Sequence, residues 1–187
     1  MRLAFSAAAA VLLAAAPVAG QDVSFGGPVA GTNAFPFDDY HFVPANRYQQ
    51  LYTGSRFAGP VLIDAIRFSN SASIDGGFPG SIAAGNYLVR FAVTDRAENG
   101  LSTDFDANVS GFSATFFSGT LPGGLLRIAG DPYLFDPSRG NLLMDVTVLS
   151  QEPYALLSLD YSRSATDGTS RVFNTFPLPG VPSVVDA

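Results

Sequence analysis

Oxygen-bearing side chains recur at alternate positions in Asp104-Phe105-Asp106-Ala107-Asn108, the spacing with which a loop wraps calcium. The calcium loop of helical hands then wants a glycine and, later, a glutamate. Val109 and Thr115 stand at those places, so that motif is excluded. What is left is a looser calcium site in a β-loop, with Asp104, Asp106 and Asn108 as ligands, weighed against a hydrated turn between strands. Calcium is the one cofactor the chain suggests.

The other chemical constellations are thinner. Asp38-Asp39-Tyr40-His41 sets the sole histidine beside two carboxylates, a grouping that suits a metal or an acid–base pair. One histidine does not make a typical zinc site, and the segment reads as a solvated turn near the start of the mature chain. A Ser-His-Asp triad needs a serine on a rigid elbow, and no G-x-S-x-G occurs. Glycoside hydrolysis needs two facing carboxylates. Glu98 and Glu152 are the only glutamates, and the fourteen aspartates show no distinctive spacing. With no cysteine, thiol catalysis, thiolate metal sites and iron–sulfur clusters all drop out. No catalytic residue is assigned. Asn108-Val109-Ser110 fits the N-glycosylation pattern, which is taken as accidental.

Aromatic side chains are numerous enough to build a sugar-stacking platform. Tyr48, Tyr52, Phe57, Tyr87, Phe91, Phe116, Phe117, Tyr133 and Tyr154 mostly occupy strand-like positions, however, where core packing is the expectation.

The elements that must position these groups read as nearly all β. Nineteen glycines and thirteen prolines are spread along the chain, which breaks long helices and marks turns. Short runs of β-branched, aromatic and other apolar residues lie between them, at residues 47–52, 61–69, 87–94, 112–119, 125–129, 142–149, 154–161 and 170–175. Such spacing predicts eight to nine strands in an all-β, two-sheet antiparallel sandwich, jelly-roll-like. A helical turn is expected only near residues 95–101.

The most specific stretch runs from Phe135 to Leu149. Asp136-Pro137 suits a turn, and Gly140-Asn141 supplies residues that tolerate positive φ. Leu142 to Leu149 is almost continuously apolar, as expected of a strand covered on both sides. Asp145 interrupts it. The expectation is an aspartate at a wet face or a bulge, and the alternative is a buried ligand carboxylate.

Residues 1–20 read as a secretory signal peptide: Met1-Arg2, an apolar run from Leu3 to Ala16, then small residues before Gln21. The run is too short for a membrane span and no stop-transfer pattern follows. The expected mature part is one domain over residues 21–176, with a Pro-rich tail at 177–187. Formal net charge is −6, every cation but the histidine being arginine. Such acidity argues against nucleic acid and anionic lipid as partners. Without disulfides, stability outside the cytosol has to come from packing.

Several blocks together resemble a known family. They are Asn46-Arg47-Tyr48-Gln49-Gln50-Leu51-Tyr52, Gly59-Pro60 to Phe68, the segment from Asp75-Gly76-Gly77 to Thr94, Leu101-Ser102 with Asn108, Phe117-Ser118-Gly119-Thr120-Leu121, and Phe135-Asp136-Pro137-Ser138-Arg139-Gly140-Asn141-Leu142-Leu143-Met144-Asp145-Val146. In that order they resemble the ectodomains of secreted bacterial PEP-CTERM proteins, over residues 46–175. Members normally end in Pro-Glu-Pro, an apolar span and an arginine cluster. This chain ends in a Pro-rich run without them, as an unanchored relative or a shortened reading frame would. The resemblance implies a cell-surface or exopolysaccharide-associated protein, secreted and non-catalytic, that binds glycan or surface proteins or serves as a structural module. The rival reading is an extracellular glycan-acting hydrolase with unidentified carboxylates.

Overall fold

The structure is a computed structural model that describes residues 22–25, 29–33, 37, 46–70, 73–74, 78–79, 82–151, 159–161, 164, 166–173 and 184–186. The leader, Asp38 to His41, Glu152, Tyr154 and the tail up to residue 183 lie outside the described residues. Twelve strands occur among them: β1 (Val29–Asn33), β2 (Asn46–Tyr52), β3 (Val61–Arg67), β4 (Ser73–Ile74), β5 (Phe78–Pro79), β6 (Gly85–Thr94), β7 (Ser113–Leu121), β8 (Arg127–Phe135), β9 (Asn141–Gln151), β10 (Leu159–Tyr161), β11 (Thr169–Phe173) and β12 (Val184–Asp186). Each of the eight expected strands has a counterpart among the described residues, that at 154–161 only over residues 159–161, and the additions are short.

The large sheet has the order β12-β11-β2-β9-β6-β7, and smaller ladders join β3 to β8, β1 to β10 and β4 to β5. Every ladder is antiparallel. The large sheet packs its inner face on β3–β8, giving an all-β sandwich. Tyr48, Tyr87, Phe91, Met144 and Val146 of the large sheet share one buried cluster with Ile128, Tyr133 and Phe135 of β8. Phe91 and Tyr133 meet across the layers with centroids 5.5 Å apart, and Phe57, on the connection from β2 to β3, meets Phe135 at 4.9 Å and a steep angle. Each such side chain contributes roughly 1.5–3 kcal/mol through burial.

β9 explains why its sequence is apolar at almost every position. Leu142, Met144, Val146 and Val148 face the main core. Leu143 faces the opposite way and belongs to a second cluster with Leu51, Ala92, Leu101 and Val172, against which Phe105 and Val109 pack. The segment between β6 and β7 therefore lies over the outer face of the sheet and covers its centre.

β8 was expected to end at Ala129 but continues through Gly130-Asp131-Pro132 to Phe135. Its pairing shifts there: Ala129 is opposite Ala65, and Tyr133 is opposite Ile63. Pro132 thus falls in an irregularity of the ladder, where a missing N–H costs little. A Cβ on Gly130 would stand 2.2 Å from the Phe116 carbonyl oxygen, so β8 can run against β7 at that point only with glycine.

Helical structure falls elsewhere than expected. Residues 95–101 form a turn closed by Gly100 N–H donating to Ala97 O at 2.9 Å, with Asn99 at φ 62°. Single 3-10 turns occur at Gly54–Arg56, Asp106–Asn108 and Pro137–Arg139. Gly140 adopts the expected positive φ, at 136°. Asn141 does not; it starts β9, and its side chain ties two loops instead. Its Oδ1 accepts from Gly54 N–H at 2.7 Å, and its Nδ2 donates to Arg96 O at 2.7 Å.

Candidate functional site

Arg47, Gln49, Asn108 and Asp145 converge on the outer face of the large sheet. In the antiparallel register Gln49 on β2 is directly opposite Asp145 on β9, and Asp145 is directly opposite Arg90 on β6. Arg47 lies two residues from Gln49, hence on the same face. Its Nε donates to Asp145 Oδ1 at 3.0 Å and its Nη2 to Oδ2 at 2.7 Å, a two-pronged pair. The Asp145 side chain is 5% exposed and that of Arg47 23%.

Asp145 therefore stands neither at a wet face nor in a bulge, as the sequence suggested. It is buried and paired. Gln49, fully buried, extends the contact: its Nε2 donates to Asp145 Oδ2 at 3.0 Å and to Phe105 O at 3.0 Å. Its Oε1 accepts from Asn108 Nδ2 at 2.9 Å.

Asn108 fastens the covering loop to this network. Its Oδ1 accepts from Ser102 N–H at 2.7 Å, and its Nδ2 donates to Ser102 O at 2.9 Å, so the side chain pairs with the backbone as a strand would. The 3-10 turn at Asp106–Asn108 turns it inward. Loop and sheet also meet where the Arg47 guanidinium lies 5.1 Å from the Phe105 ring centre, a cation–π contact.

The three residues read as calcium ligands are thus divided. Asn108 is fully buried and its amide is engaged on both atoms. Asp104 and Asp106 are exposed. Asp106 Oδ1 accepts from Arg47 Nη1 at 2.8 Å, and Asp104 Oδ1 accepts from Asp106 N–H at 3.2 Å. The alternation of oxygen side chains reflects a turn whose third member points into the protein. Among the described residues, no three histidine, aspartate or glutamate side chains gather closely enough to hold a metal ion between them.

Electrostatics follow the geometry. The hydrogen bond to Asp145, then Asp106, holds the Arg47 guanidinium above its ordinary pKa against the opposing effect of burial. Hydrogen bonds from Ser138 hold the Asp136 carboxyl below its usual range, at 3.0 Å from the backbone N–H and 2.7 Å from the hydroxyl. Burial pushes the Tyr133 phenol up.

The aromatic platform is largely core. Tyr48, Phe57, Tyr87, Phe91, Phe116 and Tyr133 are all buried. Among the described residues an exposed ring is Phe112, placed at the start of an expected strand but not among the platform aromatics; it is 64% exposed and nearly parallel to Tyr133 at 6.3 Å.

Sequence reasoning also passed over the outer face of β3–β8. Leu62 and Leu134 are directly opposite one another there, 59% and 68% exposed. Farther along, Arg67 is opposite Arg127, and both are exposed. Nothing in either strand's own sequence signals these pairings, since only the register creates them.

A comparison with protein-family models, curated proteins and solved structures finds no match to this chain. No helix among the described residues is long and apolar enough to cross a membrane.

Proposed function

We propose that the chain is an exported, non-catalytic β-sandwich of the PEP-CTERM ectodomain type, associated with the cell surface or its polysaccharide matrix, and that it binds glycan or a surface partner. One observation carries this reading. The polar residues that make the resemblance (Arg47, Gln49, Ser102, Asn108 and Asp145) hydrogen-bond to one another or to the loop that covers them. They hold a scaffold together, so recognition falls to surfaces away from this polar cluster.

The exposed Leu62–Leu134 pair and Phe112 offer apolar contact on such surfaces. Polysaccharides present C–H faces that stack on apolar and aromatic side chains, while partner proteins use the same features. The test is co-sedimentation of the purified protein with the producer's exopolysaccharide and a panel of insoluble glycans, with calcium or with chelator. Retention without release of sugar is expected. Retention with released sugar would make the protein a hydrolase, and no retention on any glycan would overturn the glycan reading.

A further inference from the structure

The outer face of β3–β8 carries three cross-strand pairs in sequence: Arg67 with Arg127, Ala65 with Ala129, and, beyond the irregularity, Leu62 with Leu134. Their inner-face neighbours Ile66, Ile128, Tyr133 and Phe135 pack in the core, which leaves these pairs facing outward. The strip extends about 17 Å from Leu62 to Arg67 at the ordinary rise of a strand, room for several sugar rings. Asp64 and Asp131 are exposed within the irregular stretch.

The arginine pair is the unusual part. Like charges directly opposite on one face repel and weaken a ladder, with Cβ atoms about 5 Å apart. Among the described residues the salt bridges are those of Arg47 with Asp106 and Asp145; neither Arg67 nor Arg127 takes part in one. This cationic pair sits on a chain whose net charge is −6, so a diffuse field does not draw an anion there. Only local contact would.

We propose that Arg67 and Arg127 bind the carboxylate of a uronic-acid-bearing polysaccharide, whose chain runs along the strip toward Leu62 and Leu134. Two guanidinium forks converging on one carboxylate satisfy its oxygens with charge-assisted bonds and relieve the mutual repulsion of the arginines. Ala65 and Ala129 keep the floor low beside them. Asp64 and Asp131 repel a carboxylate and accept from sugar hydroxyls, which fixes the acidic group at the arginine end. The Leu62–Leu134 pair meets a C–H face of a neighbouring ring.

This proposal rests on the glycan-binding reading above, and the test separates the two. Binding of the full chain to polygalacturonate and to neutral dextran is measured for the native protein, for R67Q/R127Q and for L62S. The expected result is selective binding of polygalacturonate, weakened about tenfold or more by R67Q/R127Q, weakened by added salt, and lowered in L62S. The melting temperature of R67Q/R127Q should equal or exceed that of the native protein, because repulsion has been removed.

Glycan binding that R67Q/R127Q leaves unchanged would overturn the site while sparing the glycan reading. Binding of neither glycan by the native protein, nor of any other in the panel, would overturn both. Displacement by millimolar inorganic phosphate as readily as by oligouronate would show a simple oxyanion site and overturn the polysaccharide assignment.

Discussion

Gln49 and Asp145 face each other across the β2–β9 ladder, and the Gln49 amide donates to the Asp145 carboxylate at 3.0 Å over a separation of 96 residues. Arg47 closes the same carboxylate from its other side. A charge placed mid-strand between two apolar clusters is tolerable only with such partners. Asp145→Ala should therefore destabilise the fold by about 3–5 kcal/mol, because it strands a partly buried guanidinium. Asp106→Ala removes only the exposed arm and should barely move the denaturation midpoint. Urea unfolding of both variants checks the ranking, and equal losses would contradict it.

The loop over the outer face depends on Asn108. Asn108→Ala leaves Gln49 Oε1 and Ser102 N–H without their buried partner, a penalty of about 1–3 kcal/mol for each group so stranded. The loss should appear as local opening as well as lower stability. Limited proteolysis should cut residues 95–112 faster in the variant while the β-strands stay protected. Unchanged cleavage would mean that the apolar contacts of Leu101, Phe105 and Val109, with the Arg47 and Gln49 bonds to the loop, are enough to hold it.

Gly130→Ala tests how closely β7 and β8 approach. The new Cβ meets the Phe116 carbonyl oxygen at 2.2 Å, a backbone atom that cannot swing aside. Destabilisation of about 1–3 kcal/mol is expected from the forced shift. Gly59→Ala, with open space at its Cβ, is the control and should change little.

Stability should decline toward both ends of the pH scale. Asp136 is held below its ordinary value of 3.8 by Ser138; its contribution is present above that value and lost as pH falls through the lower folded one. Tyr133 is shifted above its ordinary 10.0 by burial, with Arg139 opposing. Its contribution is complete below pH 10 and lost as pH rises through the folded value. Ser138→Ala should flatten the acid limb and Tyr133→Phe the alkaline limb in melting curves recorded across pH.

Calcium at millimolar concentration is expected to leave the melting temperature unchanged, because Asn108 is engaged inside and Asp106 is engaged by Arg47. A rise that Asp104→Asn abolishes would instead restore the loop as a cation site.

Strand identity was legible wherever apolar residues alternated or ran unbroken, because β-propensity and burial agree there; β6 and β9 are the clearest cases. The extension of β8 was hidden by Gly130 and Pro132, residues that normally end strands and are accommodated here by an irregular ladder. Arg47, Gln49, Ser102, Asn108 and Asp145 were all noticed, yet as separate blocks. Their meeting depends on the β2–β9 register and on a loop folding back over the sheet, which short-range spacing does not encode. The Arg67–Arg127 pair escaped for the same reason: two unremarkable arginines become a pair only through strand partnering.

The strand order has a consequence for how the chain acquires its shape. β2 emerges early, but its two neighbours are β9 and β11, both made long afterwards. Until the ribosome has passed residue 151, the large sheet has no centre, and β2 and β6 have no strand to join them. Until then β6 can pair only with β7, and β2 has no partner in the large sheet. Folding is then a late event dominated by distant contacts, slow by the usual relation of rate to topology and exposed to aggregation meanwhile. The large sheet can close only once its ninth strand is available.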